Sequence, residues 1–172
     1  MRIQLETGEI RSWEESDAPA LARHANDRRV SMQMRDAFPF PYGLADAHAF
    51  VAMARGLDPE RFFALAVDSE AVGGIGLTLH KDVERLSAEV GYWLGHACWG
   101  RGIVTAALRA ITQHAVREFG LVRVYALPLA RNVASCRVLE KAGYVLEGRL
   151  RASAIKDGEI LDQLLYAFVV QR

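Results

Sequence analysis

The chain has 172 residues, of which 51% are hydrophobic and 24% are charged, and its 21 basic residues equal its 21 acidic residues. These values are typical of a soluble globular protein, and we predict a single domain over residues 1–172. The balanced charge argues against nucleic acid as a partner, because nucleic-acid-binding proteins carry a basic surplus or stripe.

Targeting, membrane and metal-binding signals are also missing from the sequence. Residues 1–9 alternate polar and apolar side chains, unlike a signal peptide, and no stretch is apolar for long enough to span a bilayer. Cys98 and Cys136 lack the spacing of a disulfide or zinc framework, and the five histidines are scattered. We therefore expect a cytoplasmic protein without a membrane partner or a bound metal.

The first third of the chain alternates strand and helix signals. We predict a strand over residues 10–13 and helices over residues 17–24 and 46–54. Ser16 or Asp17 offers a cap for the first helix, with Pro19 tolerated in its first turn. The prolines within residues 38–43 exclude a helix between the two, and Gly56 ends the second helix.

Strand patterns dominate the middle of the chain. Three consecutive antiparallel strands are predicted over residues 62–67, 71–80 and 86–94, the first two joined by a turn at residues 68–70. In the third strand, alternation places one set of side chains on one face (Ala88, Val90, Tyr92, Leu94) and another set on the opposite face (Glu89, Gly91, Trp93).

A helical period returns at Arg101 and runs to Gly120, with one apolar stripe. After it we predict a strand, a helix and two final strands, over residues 121–127, 134–142, 144–150 and 160–169. The strand-helix-strand order requires a parallel pair. The predicted fold is therefore an α/β domain with a mixed, mostly antiparallel sheet that contains a central parallel pair and is flanked by helices.

The loop before the long helix has the features of an anion site. Residues 96–102 read His-Ala-Cys-Trp-Gly-Arg-Gly. Unpaired N–H groups at the helix start face outward, and Gly100 and Gly102 let the backbone approach a phosphate closely. Arg101 adds a positive charge. A tight turn without a ligand fits the same two glycines, whereas the spacing matches neither a P-loop nor a dinucleotide fingerprint.

These residues resemble the GNAT acyltransferases, whose signature is Gln/Arg-x-x-Gly-x-Gly/Ala between a strand and a helix. Residues 97–102 read Ala-Cys-Trp-Gly-Arg-Gly, so the opening polar residue is missing. The string Glu-Val-Gly-Tyr-Trp-Leu at residues 89–94 is similar to the ribosomal-protein N-terminal acetyltransferases, the RimJ/RimL-like branch. Residues 132–145 are similar to the family's Asn-x-x-Ser helix and the strand after it, and the resemblance covers nearly the whole chain.

The resemblance implies acetyl-CoA as co-substrate and a strand pair that splays to admit the pantetheine arm. Main-chain groups would then pair with the pantetheine amides, and the amides of residues 100–105 would hold the pyrophosphate. Asn132 would reach the pantetheine, although a helix cap is an equal alternative. The implied cofactor-binding residues are Trp93, Leu94, Gly95, Trp99, Gly100, Arg101, Gly102, Ile103, Val104, Thr105, Asn132 and Ser135.

Acyl transfer to an amine requires a neutral amine, a stabilised oxyanion and a proton for the leaving thiolate. We take Glu89 as the candidate proton acceptor, directly or through water, with a solvated or ion-paired strand carboxylate as an equal alternative. The resemblance places Ser135 near the cofactor sulfur as a proton donor or water holder. A serine is a weak acid, and this helix offers no tyrosine before Tyr144.

The acceptor is defined less sharply than the donor. The resemblance implies a protein N-terminus or a small primary amine that attacks the thioester directly in a ternary complex. Residues 151–155 offer no carboxylate where the ribosomal-protein enzymes carry one, which weakens a ribosomal substrate and leaves an acyl-CoA-binding module without turnover as the alternative. The family also suggests a homodimer through sheet edges or the apolar run at residues 164–170.

Overall fold

The computed structural model describes residues 1–171 and contains eight strands and five helices, besides short 3-10 turns, within that part of the chain. The strands are β1 (Arg2–Leu5), β2 (Gly8–Ser12), β3 (Phe62–Val67), β4 (Glu70–Leu79), β5 (Ser87–Leu94), β6 (Arg123–Ala126), β7 (Val145–Lys156) and β8 (Glu159–Val169). The helices are α1 (Ala18–Ala25), α2 (Arg28–Ser31), α3 (Leu44–Arg55), α4 (Ile103–Phe119) and α5 (Val133–Lys141).

The eight strands form one mixed sheet in the order β1-β2-β3-β4-β5-β6-β8-β7. Strands β5 and β6 are parallel, whereas β1 with β2, β2 with β3, β3 with β4, β6 with β8 and β7 with β8 are antiparallel. The predicted α/β fold with a central parallel pair is confirmed.

The chain divides into two compact units, and the first comprises residues 1–76 and 92–107. Its core includes Trp13, Leu21, Val51 and Trp93, so α1 and α3 pack their apolar residues against the strands of this unit. The Trp13 and Phe50 rings meet edge to face with centroids 5.5 Å apart. Burial of these side chains away from water stabilises this part of the fold.

The second unit comprises residues 77–91 and the described residues from 108 onward. Leu108, Ile111 and Ala115 of α4 are buried, as the apolar stripe predicts. The hydroxyls of Thr112 on α4 and Tyr144 lie 2.6 Å apart, which satisfies both polar groups inside this core. The prediction of one domain over residues 1–172 stays a prediction, and Arg172 lies outside the described residues.

Most predicted elements are present, and the differences have physical causes. Strand β1 was not predicted because it is a short, half-exposed strand whose only partner is the neighbouring β2. Helix α2 is a single turn, too short for a periodic signal. Strand β7 continues past the predicted end at residue 150, through an irregularity in its register with β8.

Asp17 was predicted as a possible side-chain cap for α1, and the structure assigns it another role. Its carboxylate accepts two hydrogen bonds from the guanidinium of Arg11, each 2.7 Å long, and both side chains are buried. It also accepts the Glu14 N–H at 2.8 Å. The sequence pattern identified the position, but the buried ion pair determines the contact.

Among residues 1–171, no helix combines the length and the apolar character needed to cross a membrane.

Candidate active site

The glycine loop, residues 99–102, joins a short 3-10 turn after β5 to helix α4. Gly100 and Gly102 have φ angles of +75° and +77°, in the left-handed region that favours glycine. A Cβ atom placed on either glycine would meet no heavy atom within 4 Å. Their backbone therefore requires glycine for conformational reasons, and the space beside it is open to a ligand.

The first turn of α4 supplies hydrogen-bond donors next to this loop. The Ala106 N–H donates to the Gly102 carbonyl at 3.1 Å, so the N–H groups of residues 103–105 precede the first intrahelical bond. Ile103 is buried and anchors the turn, while Val104 and Thr105 are half-buried. The exposed Arg101 reaches the Cys98 sulfur at 3.9 Å. These groups together suit a diphosphate.

Trp99 is held against the end of β5. Its indole N–H donates to the Leu94 carbonyl at 2.7 Å, and its ring lies 4.8 Å from the exposed His96 ring. The Trp99 side chain is still 44% exposed. It therefore fixes the loop while keeping a large aromatic surface available.

The last residues of β5 direct their main-chain groups alternately to the two sides of the strand. The Trp93 carbonyl faces β4, because a Cβ on Gly73 would lie 2.5 Å from its oxygen, and the Gly95 N–H donates to the Val72 carbonyl at 2.8 Å. The Leu94 N–H and carbonyl consequently face away from β4. Leu94 is thus the residue of this trio whose main-chain groups are best directed for pairing with an added extended ligand.

The parallel ladder between β5 and β6 is short. It consists of the pairs Ser87↔Arg123, Ala88↔Val124 and Glu89↔Tyr125, although both strands continue further. We call Glu89 and Tyr125 the branch point, since they are the last register pair of this ladder. The splay that the resemblance implies stays a prediction, and the end of this ladder is where it would begin.

The side chain of Glu89 lies on an open face of the second unit. Its register partner Tyr125 shares this face, whereas α4 and α5 cover the opposite face, where Tyr166 of β8 contacts Glu140 of α5 at 2.9 Å. Glu89 is half-buried, and a Cβ on the exposed Gly91 would meet no atom within 4 Å. A carboxylate at this position can therefore be reached by a substrate.

Two further side chains contact Tyr125, and a third holds one of them. The His80 Nε2 lies 2.8 Å from the Tyr125 hydroxyl, and the Arg123 guanidinium lies over the Tyr125 ring at 5.7 Å. Arg123 also donates to the Glu147 carboxylate at 2.9 Å, which lowers the pKa of Glu147. Sequence analysis missed these residues. Only the polar alternation of Arg123 and Tyr125 along a short strand could have indicated that face.

Helix α5 begins at the Asn-x-x-Ser motif. The Asn132 Oδ1 accepts the Ser135 N–H at 3.1 Å, so the capping alternative is confirmed, and the amide nitrogen is the donor that this side chain can offer a ligand. Ser135 is half-buried, whereas the next residue, Cys136, is buried, and burial raises the pKa of its thiol. A raised thiol pKa makes Cys136 a poor nucleophile.

Residues 151–155 carry no carboxylate of their own, but the paired strand β8 places one beside them. Asp162 of β8 accepts the Ala152 N–H at 2.7 Å and the Arg149 Nε–H at 2.6 Å, and these bonds lower the pKa of Asp162. Sequence analysis missed it because the residue lies ten positions further along the chain.

The structure therefore brings the predicted residues together within each unit. In the first unit, residues 93–95 and 99–105 are linked through the Leu94–Trp99 bond. In the second unit, Glu89 lies at the branch point and Asn132 and Ser135 share one turn of α5. Within residues 1–171, no group of three or more His, Cys, Asp or Glu side chains could hold a metal ion.

Comparison with known proteins identifies this arrangement. The family described as acetyltransferase (GNAT) domain matches residues 9–145. The probable N-acetyltransferase YjcK of Bacillus subtilis (strain 168) is 34% identical over 114 residues, which are 65% of this chain and 63% of that protein. The ribosomal-protein-serine acetyltransferase of Escherichia coli (strain K12) is 28% identical over 64% of this chain and 61% of its own. The chain thus spans about three fifths of these curated relatives.

A solved structure shows the same fold over the whole length. The ribosomal L7/L12 alpha-N-protein acetyltransferase RimL, in complex with coenzyme A, superposes with a TM-score of 0.88 at 22% identity. The match covers 99% of this chain and 98% of that one.

Proposed function

We propose that this chain, which belongs to the acetyltransferase (GNAT) family and carries its acyltransferase domain, transfers an acetyl group from acetyl-CoA to a primary amine. The observation that carries the proposal is the glycine loop, where two glycines with positive φ and open space lead into the N–H groups of α4. The RimL structure was solved with coenzyme A, which supports the same donor here.

On the donor side, the loop and the first turn of α4 would bind the pyrophosphate through Gly100, Gly102 and the amides of residues 103–105. Arg101 would add a charge-assisted contact, and Trp99 would offer its exposed ring. The N–H of Leu94, between Trp93 and Gly95, would pair with the pantetheine as an added strand does. The Leu94 carbonyl, which already accepts the Trp99 indole N–H, would use its second lone pair. Backbone groups held this rigidly lose little entropy on binding.

On the acceptor side, Glu89 would take the proton of the incoming ammonium group, directly or through water, at the branch point. The neutral amine would then attack the thioester carbonyl in a ternary complex, forming the new C–N bond as the C–S bond breaks. Ser135 would donate a proton to the leaving thiolate or hold a water that does, and Asn132 would contact the pantetheine through its amide nitrogen.

The acceptor itself is either a protein N-terminus or a small primary amine. The curated relative named ribosomal-protein-serine acetyltransferase supports the first. Asp162 places a carboxylate beside residues 151–155, which removes one reason to favour a binding module without turnover.

Calorimetry and a thiol-release assay test the proposal together. We expect acetyl-CoA and coenzyme A to bind, and thiol release to depend on at least one member of a panel of small amines and N-terminal peptides. Binding without release for any acceptor would favour the binding module. Absence of binding would contradict the whole proposal.

We include a homodimer in the proposal, through the final strands. Strand β7 lies at one end of the sheet order, and its Val145 and Ile155 side chains are each 67% exposed. The 164–170 run that first suggested this surface is mostly buried or half-buried, so β7 carries the argument instead. Light scattering tests it, since a monomer at high concentration would contradict it.

A cytoplasmic location is the last part of the proposal. The thiols of Cys98 and Cys136 are unpaired and buried, as expected in a reducing compartment. Fractionation of the cells that produce the protein tests this location.

A further inference from the structure

The contact between Tyr125 and His80 joins two segments that are 45 residues apart. The two ring planes are nearly parallel, at 10°, and the hydroxyl lies 2.8 Å from the imidazole Nε2. Both side chains are half-buried rather than part of the closed core. A phenylalanine would pack equally well at position 125. Packing alone therefore does not account for the hydroxyl or its hydrogen bond with His80.

Residues on β6 itself, on β7 and just after β4 hold the Tyr125 ring in one position. Arg123 lies over it at 5.7 Å, and the carboxylate of Glu147 on β7 fixes Arg123 in turn. The His80 N–H donates to the Ser87 carbonyl at 3.1 Å, which fixes the backbone from which the imidazole extends. The hydroxyl is therefore positioned by groups from several strands, as preorganised polar groups of active sites are.

This hydroxyl belongs to the last pair of the β5–β6 ladder. Tyr125 is the register partner of Glu89, and neighbouring strands lie about 4.8 Å apart, so the two side chains leave the same face side by side. The exposed Gly91 continues this face without covering it. Two oxygen-bearing side chains thus point from the branch point to the side that a substrate can reach.

We propose that Tyr125 is an acceptor-binding residue, whose hydroxyl oxygen accepts an N–H of the incoming amine beside Glu89, and that His80 is the positioning residue that orients this hydroxyl. The inference rests on the proposed function, because it needs an amine acceptor at the branch point. It concerns residues to which neither the family motifs nor the resemblance gave a role.

The chemistry requires one orientation of the hydroxyl. If the Tyr125 O–H donates to an unprotonated His80 Nε2, its lone pairs face the substrate and can accept from an ammonium group. Glu89 and Tyr125 then hold two N–H bonds of the same nitrogen, and Glu89 takes the proton. A primary ammonium group keeps two N–H bonds after Glu89 has taken one proton, so one of them stays available for Tyr125.

The first experiment compares Tyr125→Phe with Tyr144→Phe by steady-state kinetics, using the best acceptor from the amine panel. Tyr125→Phe should lower kcat/KM for the amine about tenfold, mainly through KM, with the affinity for acetyl-CoA unchanged. Tyr144→Phe removes a hydroxyl bonded to Thr112 at 2.6 Å on the covered side of the sheet. It should lower the melting temperature without changing the kinetics.

The second experiment is a double-mutant cycle with His80. His80→Ala should match the loss of Tyr125→Phe, and the double variant should be no worse than Tyr125→Phe alone, because His80 acts through the hydroxyl. His80→Gln, whose amide oxygen can accept from Tyr125, should restore a large part of the activity.

The outcomes separate this inference from the function on which it rests. A wild-type protein that binds coenzyme A but acetylates no amine would contradict both. An active wild type with unchanged kinetics in a folded Tyr125→Phe variant would contradict the role of Tyr125 alone. Fully additive losses in the double variant would overturn the positioning role of His80.

Discussion

The glycine loop and the branch point offer different kinds of group to a ligand: the loop offers backbone atoms and the branch point offers side chains. The loop presents backbone N–H groups, and its two glycines have no side chain to place in the open space beside them. The branch point presents side chains, Glu89 and Tyr125, which residues from β6, β7 and the end of β4 hold in place. In the proposed reaction, the loop would therefore bind a group common to every coenzyme A thioester, whereas the branch point would distinguish acceptors.

Gly102→Glu should have the largest effect, because the binding groups of the loop are backbone atoms that a side chain would cover. The substitution places a negative charge beside a diphosphate and puts a non-glycine residue at a φ of +77°. We expect the dissociation constant for acetyl-CoA to rise roughly a hundredfold or more, measured by calorimetry.

Gly120→Glu is the matched control, since Gly120 has a φ of +62° at the other end of α4. It should lose comparable stability but keep its affinity for acetyl-CoA. Equal affinities for both variants would show that the glycine loop does not hold the cofactor.

Glu89→Gln should have the next largest effect. Unlike Gly102→Glu, it should slow the reaction and leave cofactor binding nearly unchanged. Turnover should fall about a hundredfold and the loss of rate toward low pH should disappear, with the affinity for acetyl-CoA nearly intact. The exposed Glu118→Gln in the last turn of α4 serves as control. Normal kinetics in a folded Glu89→Gln protein would leave solvent as the proton acceptor.

Ser135→Ala tests whether the Ser135 hydroxyl takes part in the reaction or whether this residue only helps to cap α5. The cap uses the Ser135 N–H, which alanine retains, so the helix should persist. Loss of the hydroxyl should lower kcat about tenfold through the leaving thiolate. Pre-steady-state thiol release measures it, with the exposed Ser16→Ala as control. An unchanged rate would assign the proton donation to water.

Asp27→Asn should have the smallest effect. It breaks the ion pair between Asp27 and Arg29, which is not part of the glycine loop. Hydrogen bonds from the Arg29 side chain lower the pKa of Asp27 to about 2, and Arg29 reaches His96 at 3.3 Å. A depressed carboxylate pKa stabilises the fold above the unfolded value of about 3.9, and this stabilisation is lost as pH falls toward 2.

The free energy of unfolding should therefore fall by less than about 1 kcal/mol in Asp27→Asn at neutral pH, since both side chains are partly exposed. The two proteins should converge in stability near pH 2 in urea titrations. A change in acetyl-CoA affinity at neutral pH would show that side chains near the loop contribute to binding.

The features that could be predicted from sequence are those formed by residues close together in the chain. The glycine loop and the Asn132 motif are local patterns, and β3 was predicted with the bounds that the structure gives, Phe62–Val67. Glu89 could be placed on the correct face because strand alternation is also local. The His80–Tyr125 contact depends on the register of strands distant in sequence, and Asp17 pairs with Arg11 through packing that no periodicity encodes.

The three-pair ladder between β5 and β6 would link the stability of the protein to any extended ligand that pairs beyond it. Peptide groups after Glu89 that lack a strand partner on that side should exchange their amide protons quickly until an extended ligand protects them. A ligand that binds only the folded chain adds about 2.7 kcal/mol at a hundred times its dissociation constant. If coenzyme A is that ligand, as proposed, more of this protein would unfold and be degraded when coenzyme A is scarce, so its abundance would follow the supply of the proposed donor.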